Sequence, residues 1–247
     1  MYARLTAILF FFITVYNSKV HSTPVDSIAF SKFMYMVSRQ NDSVKTLSTV
    51  MKTITEVKIS TNQQKSSTTK DTSINKIWAI FPDKFRTEMK SNNASMLTLR
   101  NGLKMLVIDD SSGTRKVLDE IETKPDGVLV NTKRLLESLH GTPSFTVQKG
   151  DSIAILEGEF NYNGVIKQSQ MICNLKTNQI SEITMKGSTE TTMKLDYTKV
   201  NGLDCIMRIT LTGGNNDASI KVVVLFDSIK INTKLPLDLF NIEIVKR

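Results

Sequence analysis

The stretch MLTLRNGLKMLV, running from Met96 to Val107, reads as a β-hairpin and sets the class of the fold. Asn101-Gly102 adopts the φ > 0 turn that a two-residue hairpin loop needs. Its flanks are Met96-Leu97-Thr98-Leu99 and Leu103-Lys104-Met105-Leu106-Val107, largely residues that suit a pleated, half-buried surface. The same pattern repeats outward. Upstream, Ile74 to Ile80 and Phe85 to Met89 are predicted strands joined at a Pro82-Asp83 turn. Residues 62–73 contain only Asn, Gln, Lys, Ser, Thr and Asp, as a polar loop or a long solvated hairpin tip does. Before them, Val57 and Ile59 alternate with polar neighbours, so a strand is expected from about Thr53. Downstream, Ser112-Gly113 marks a turn before a short strand from Thr114 to Asp119.

The second half predicts further hairpin strands at about 144–149, 152–160, 164–174, 179–187, 190–199, 205–212, 219–232 and 240–245. Asn161 to Gly164, Thr177-Asn178, Asn201-Gly202 and Gly213 to Asn216 are among the turns between them. Met193, Leu195 and Tyr197 alternate with Lys194, Asp196 and Thr198, and Met207, Ile209 and Leu211 alternate with Arg208 and Thr210. One apolar and one wet face is the mark of an antiparallel sheet covered on one side. Short strands at near-regular spacing predict a barrel or a strongly curved sheet.

Helices are few. Asp26 to Val37 is predicted helical, because Phe30, Phe33, Met34 and Val37 recur at i, i+3, i+4, i+7 behind Asp26 or Ser27 as a cap. Val44, Leu47 and Met51 continue a helical stripe. One internal helix is expected after Pro125-Asp126-Gly127, with Val128, Thr132, Leu135, Leu136 and Leu139 on one face and Gly141 and Pro143 ending it. Its amphipathic character suits a lid over a sheet.

The N-terminus reads as a cleavable export signal. Arg4 supplies the basic end, Ala7 to Tyr16 the apolar run, and Val20-His21-Ser22 a cleavage site after Ser22. The apolar run is too short to span a bilayer. Residues 23–247 are then expected as a single domain, soluble and monomeric. Arg4 and Lys19 leave with residues 1–22, so the formal charge falls from +8 to about +6. That charge is spread along the chain, with no basic patch carrying interleaved aromatics, which disfavours nucleic acid as a partner.

Catalytic signatures are scarce. Beyond residue 22 the one histidine is His140, expected at a helix C-terminus. Neither a nucleophile elbow nor a phosphate-cradling glycine loop is present, and no Cys/His spacing suits a metal. Asp109-Asp110 and Asp119-Glu120 read as solvated turns. No catalytic residue, metal or cofactor is expected, and the chain is not read as an enzyme. Cys173 and Cys205 fall in predicted strands, either as a disulfide or as two buried thiols. Ten methionines beyond Met1 make an adaptable apolar inventory, suited to a core or to a cavity for acyl chains.

The order of elements resembles the LolA/LolB-like superfamily of outer-membrane lipoprotein-sorting proteins. Trp78-Ala79-Ile80-Phe81-Pro82-Asp83-Lys84-Phe85-Arg86-Thr87-Glu88-Met89 is similar to a segment of that family in which a Pro turn leads into an aromatic or Arg strand. The hairpin from Leu97 to Asp109 is similar to the next, Leu175 to Ile180 to a later turn, and Leu237 to Ile242 to the closing strand. The resemblance covers nearly the whole chain beyond residue 22. It implies a mainly β fold with a few helices: an incomplete, strongly curved antiparallel β-barrel with an N-terminal helix and an internal lid helix. It also implies a periplasmic carrier that holds the acyl chains of lipoproteins or other lipids, with an inner-membrane transporter and an outer-membrane acceptor as partners. A non-enzymatic envelope sensor on the same scaffold is the alternative. Candidate lining residues are Phe30, Phe33 and Met34 on the first helix and Trp78, Phe85, Met89, Met96 and Met105 on the first strands. Leu135 and Leu139 on the lid, with Met193 and Met207 on later strands, complete the set. In that family an Arg precedes the Pro and bonds the lid; Phe81 stands there in this chain, so that lock is not implied.

Overall fold

The computed structural model describes residues 27–245, except 61–65, 119–138, 149, 151, 163–164, 188 and 216. The expected export signal and most of the expected lid helix, Leu135 included, lie outside the described residues.

Helix α1 (Ser27–Asp42) comes first. Thirteen strands follow: β1 (Thr46–Ser60), β2 (Ser66–Ile80), β3 (Lys84–Ser91), β4 (Ser95–Asn101), β5 (Lys104–Asp109) and β6 (Thr114–Leu118), then β7 (Leu139–Val147), β8 (Ile153–Tyr162), β9 (Val165–Asn174), β10 (Gln179–Lys186), β11 (Thr191–Val200), β12 (Leu203–Gly214) and β13 (Ala218–Ile231). A 3₁₀ turn (Leu237–Phe240) and a short helix (Ile242–Val245) close the described chain. The strands hydrogen-bond in the order β6-β5-β4-β3-β2-β1-β13-β12-β11-β10-β9-β8-β7. The end strands β6 and β7 are not neighbours, so the sheet does not close. The chain is mainly β, and its antiparallel sheet is not closed into a barrel, in line with the incomplete barrel that the resemblance implied.

The chain divides into two compact units. One holds α1, β7 to β10, the start of β11 up to Leu195, and the end of β12 from Leu211. The other holds β1 to β6, the rest of β11 and β12, β13 and the C-terminal segment.

The helical stripe expected over Val44, Leu47 and Met51 is a strand instead. β1 begins at Thr46, and Leu47, Thr49, Met51 and Thr53 are its buried residues. Two of the four inward positions are threonines, so the period of two hides behind polar letters while Leu47 and Met51 mimic helical spacing. Of the polar run 62–73, residues 66–73 belong to a hairpin arm: β2 pairs with β1 from Ser60↔Ser66 to Thr46↔Ile80.

The strand expected at 240–245 is also corrected, to helical turns. The Asn241 side chain accepts from the backbone N–H of Glu243 at 2.9 Å and of Ile244 at 3.4 Å, which caps a helix rather than continuing a ladder. Leu139 and His140, expected to end the lid helix, belong to β7, where they pair with Phe160 and Glu159. Pro143 does not stop this strand because the register shifts between His140 and Ser144, and a bulge on an end strand tolerates a residue with no N–H.

Turn chemistry is the third difference. In the β4–β5 hairpin Asn101 pairs with Lys104, so the loop is Gly102-Leu103 rather than Asn101-Gly102. Gly102 has φ 62°, the first position of a type II′ turn. Between β11 and β12 the expected turn holds: Asn201 and Gly202 have φ of 51° and 78°, as type I′ requires.

Candidate ligand-binding faces

In the unit that holds α1, side chains directly opposite one another on paired strands share a face. Phe145 on β7 pairs with Leu156 on β8, Leu156 with Met171 on β9, Met171 with Ile183 on β10, and Ile183 with Met193 on β11. All five are buried. They form one apolar row across five strands, and Ala154, Cys173 and Ile180 form a second row beside it. The other face is wet: Gln170 donates to Glu157 at 2.8 Å, and Lys194 pairs with Glu182 at 3.5 Å.

Helix α1 sits at the β7 end of this row. Phe33 and Val37 are buried, while Phe30 and Met34 are half-buried. The Phe30 and Phe145 rings lie 5.2 Å apart at 51°, and Phe33 and Phe145 6.2 Å apart at 34°. These tilted pairs are favourable arrangements for aromatic quadrupoles. Phe30, Phe33 and Met193 are thus brought to one buried face.

The second unit carries an inward face of different character. One row runs Ile231, Leu47, Ala79, Phe85, Arg100 and Met105. A parallel row runs Phe226, Met51, Asn75, Met89 and Met96. The candidates Phe85, Met89, Met96 and Met105 therefore share a face, and Met51 joins them. Arg100, although charged, is buried there; its Nε donates to the Gly102 carbonyl at 2.8 Å. Burial pushes its pKa down, against the pull of the Asp83 carboxylate. Arg100, Thr53 and Asn75 on this face were not among the sequence candidates. Counting back by twos from Ile77 finds Asn75 and Ser73, so a signal for them exists.

Trp78 does not share that face. It pairs with Arg86, and Arg86 with Leu99, on the opposite side of the same strands. The Arg86 guanidinium stands 5.9 Å from the Trp78 ring. Its Nε and Nη2 donate to Glu88 at 3.0 and 2.6 Å, and Nη1 to the Leu239 carbonyl at 3.0 Å. Leu99, Leu106 and Ile242 cluster here, with Ile108 packed against them. This side is therefore covered by the C-terminal segment, and Trp78 lies beside Arg86, which bonds that segment. Met207 is apart again, 43% exposed on β12 while Cys205 and Ile206 are buried.

Cys173 and Cys205 are free and buried. Desolvation pushes the Cys173 thiol up to about 12; desolvation and then the neighbouring Asp204 charge push Cys205 up to about 11. Asp109 caps its own turn, accepting from the hydroxyls of Ser111 and Ser112, and these bonds hold its carboxyl below the usual range. Among the described residues no group of three His, Cys, Asp or Glu side chains could hold a metal, and no helix is long and apolar enough to cross a membrane.

The fold of this chain recurs in a solved structure of low sequence identity. A domain from Vibrio parahaemolyticus assigned to outer membrane lipoprotein sorting matches over 89% of this chain and 100% of its own, at TM-score 0.54 and 11% identity. A DUF1329 family protein from Desulfovibrio piger matches over 90% and 99%, at TM-score 0.44 and 10% identity. A LolA superfamily protein from Nitrosomonas europaea matches over 85% and 98%, at TM-score 0.45 and 11% identity. No family model and no curated protein matches the chain.

Proposed function

We propose that residues 23–247 act, after export, as a single-domain periplasmic carrier that holds the acyl chains of lipoproteins or other lipids for transfer to the outer membrane. The observation that carries this is the apolar row from Phe145 to Met193, with α1 packed on its β7 end, on a fold shared with a lipoprotein-sorting domain. Each buried methylene contributes about 0.8 kcal/mol, so an acyl chain supplies ample affinity with no specific contact. Phe145, Leu156 and Met171 have no exposed surface, so room for a chain comes from displacement of α1. Loading and release then follow the helix, with an inner-membrane transporter and an outer-membrane acceptor as the partners. The work is binding, with no catalytic step.

The same full burial favours a second reading. Side chains that fill the interior and never yield would make the chain a non-enzymatic envelope sensor. Native mass spectrometry of gently purified protein separates the two. Co-purified lipid or lipoprotein, with displacement of a fluorescent fatty acid, is the carrier result. A ligand-free protein that ignores the fluorescent fatty acid refutes the carrier.

A further inference from the structure

We infer that Thr53 and Asn75, on the inward face of the second unit, form a polar subsite there for the linkage that joins an acyl chain to its head, an amide above all; this rests on the reading of the chain as a carrier and adds a face of its own, separate from the Phe145 to Met193 row. Asn75 is 2% exposed and Thr53 6%, yet Asn75 Oδ1 and Thr53 Oγ1 have no hydrogen-bond partner among the described residues. Buried polar atoms are nearly always paired, so two spare ones on a single face call for a partner beyond the described residues, and a bound ligand supplies one. The contrast with Thr49, four residues earlier and on the same face, is direct: its hydroxyl donates to the Asp227 carbonyl at 2.9 Å. The two spare groups are neighbours. Thr53 stands opposite Ser73, two residues before Asn75 on β2, so Thr53 and Asn75 are diagonal partners roughly 7–8 Å apart at the backbone, within joint reach of one polar group.

Their surroundings are apolar and adaptable. Met51 and Met89 flank Asn75 in register on either side. An unbranched thioether accommodates chains of varied shape, whereas the two polar atoms fix one point along the chain. Their chemistry is complementary. A threonine hydroxyl can donate, and an amide oxygen only accepts. A secondary amide brings one acceptor and one donor and satisfies both. An ester brings acceptors only, and a hydrocarbon neither.

The test uses the full chain and three ligands of matched length, N-methyldodecanamide, methyl dodecanoate and tetradecane, each displacing a fluorescent fatty acid. The wild type should bind the amide about tenfold more tightly than the alkane, with the ester between them, as two net hydrogen bonds predict. In the double variant Thr53→Val, Asn75→Leu the three affinities should converge while alkane binding persists. Thr53→Val alone should remove part of the preference, and serves if the double variant fails to fold. Equal binding of all three by the wild type, or a preference that survives the double variant, overturns the subsite and marks these atoms as the seat of a buried water only. If the wild type binds none of the three, the carrier reading falls and the subsite with it.

Discussion

Replacing Phe145 with alanine tests whether α1 is held to the sheet as described. Phe145 has no exposed surface, meets Phe30 at 5.2 Å and Phe33 at 6.2 Å, and begins the row that continues through Leu156. Phe-to-Ala changes at such sites cost about 3–5 kcal/mol, through lost transfer energy and the cavity left behind. For a chain of this length each kcal/mol moves the midpoint by about 2–4 °C, so Tm should fall by about 6–20 °C. Calorimetry and circular dichroism read the shift. A double-mutant cycle with Phe30→Ala isolates the ring pair, for which the expected coupling is about 0.5–1.5 kcal/mol. Phe30 is half-exposed, so its single variant should cost much less than Phe145→Ala. A Tm within about 2 °C of wild type for Phe145→Ala would refute the packing, and strict additivity in the cycle would refute the helix-to-sheet contact.

Three further outcomes are expected. Arg86→Met keeps the aliphatic stem but loses the bonds to Glu88 and the Leu239 carbonyl; with the Glu88 side half-exposed, a loss of about 1–2 kcal/mol is expected. Trp78 is the sole tryptophan, so its emission should shift red as the C-terminal segment loosens, and hydrogen exchange should rise around Leu239. The raised thiols should be inert in the folded protein: a thiol reagent at pH 8 labels no cysteine natively and two after denaturation, and rapid native labelling of Cys173 would contradict its burial. Asp109 has a depressed pKa, so its contribution to stability is present above the unfolded value near 3.8 and is lost as pH falls through the lower folded value. Ser111→Ala with Ser112→Ala should return the Asp109 pKa, followed by NMR, toward 3.8; an unmoved titration would show that the hydroxyls are not the cause.

The hairpins were legible wherever both signals of a strand pair were spelled out. Met193 and Leu195 against Lys194 and Asp196 gave the faces of β11, and Asn201-Gly202 gave its turn. What escaped was encoded in polar letters or in register. Thr49 and Thr53 point inward, so the start of β1 up to Met51 reads as a helical stripe until its partner strands fix the period. The Gly102-Leu103 loop differs by one residue from Asn101-Gly102, a choice that strand pairing makes and the dipeptide alone does not. Hydrophobicity alone sets Trp78 with Phe85 and Met89; pairing with Arg86 places it on the reverse side. Ile242 and Ile244 alternate as a strand would, but the Asn241 cap decides for a helical turn.

Among the described residues neither end strand of the sheet has an outer neighbour, and a row of open N–H and C=O groups invites another chain to add to it. Each end is blunted differently. β6 is only five residues long and presents Arg115 and Lys116 to solvent, so a second copy meets like charge. β7 carries Pro143 within its register shift, where the missing N–H and the kink interrupt the template. Guarded in this way, a sheet can stay open without seeding polymers. Replacing Pro143 or neutralising Arg115 and Lys116 should therefore show first as turbidity at high concentration, ahead of any change in folding.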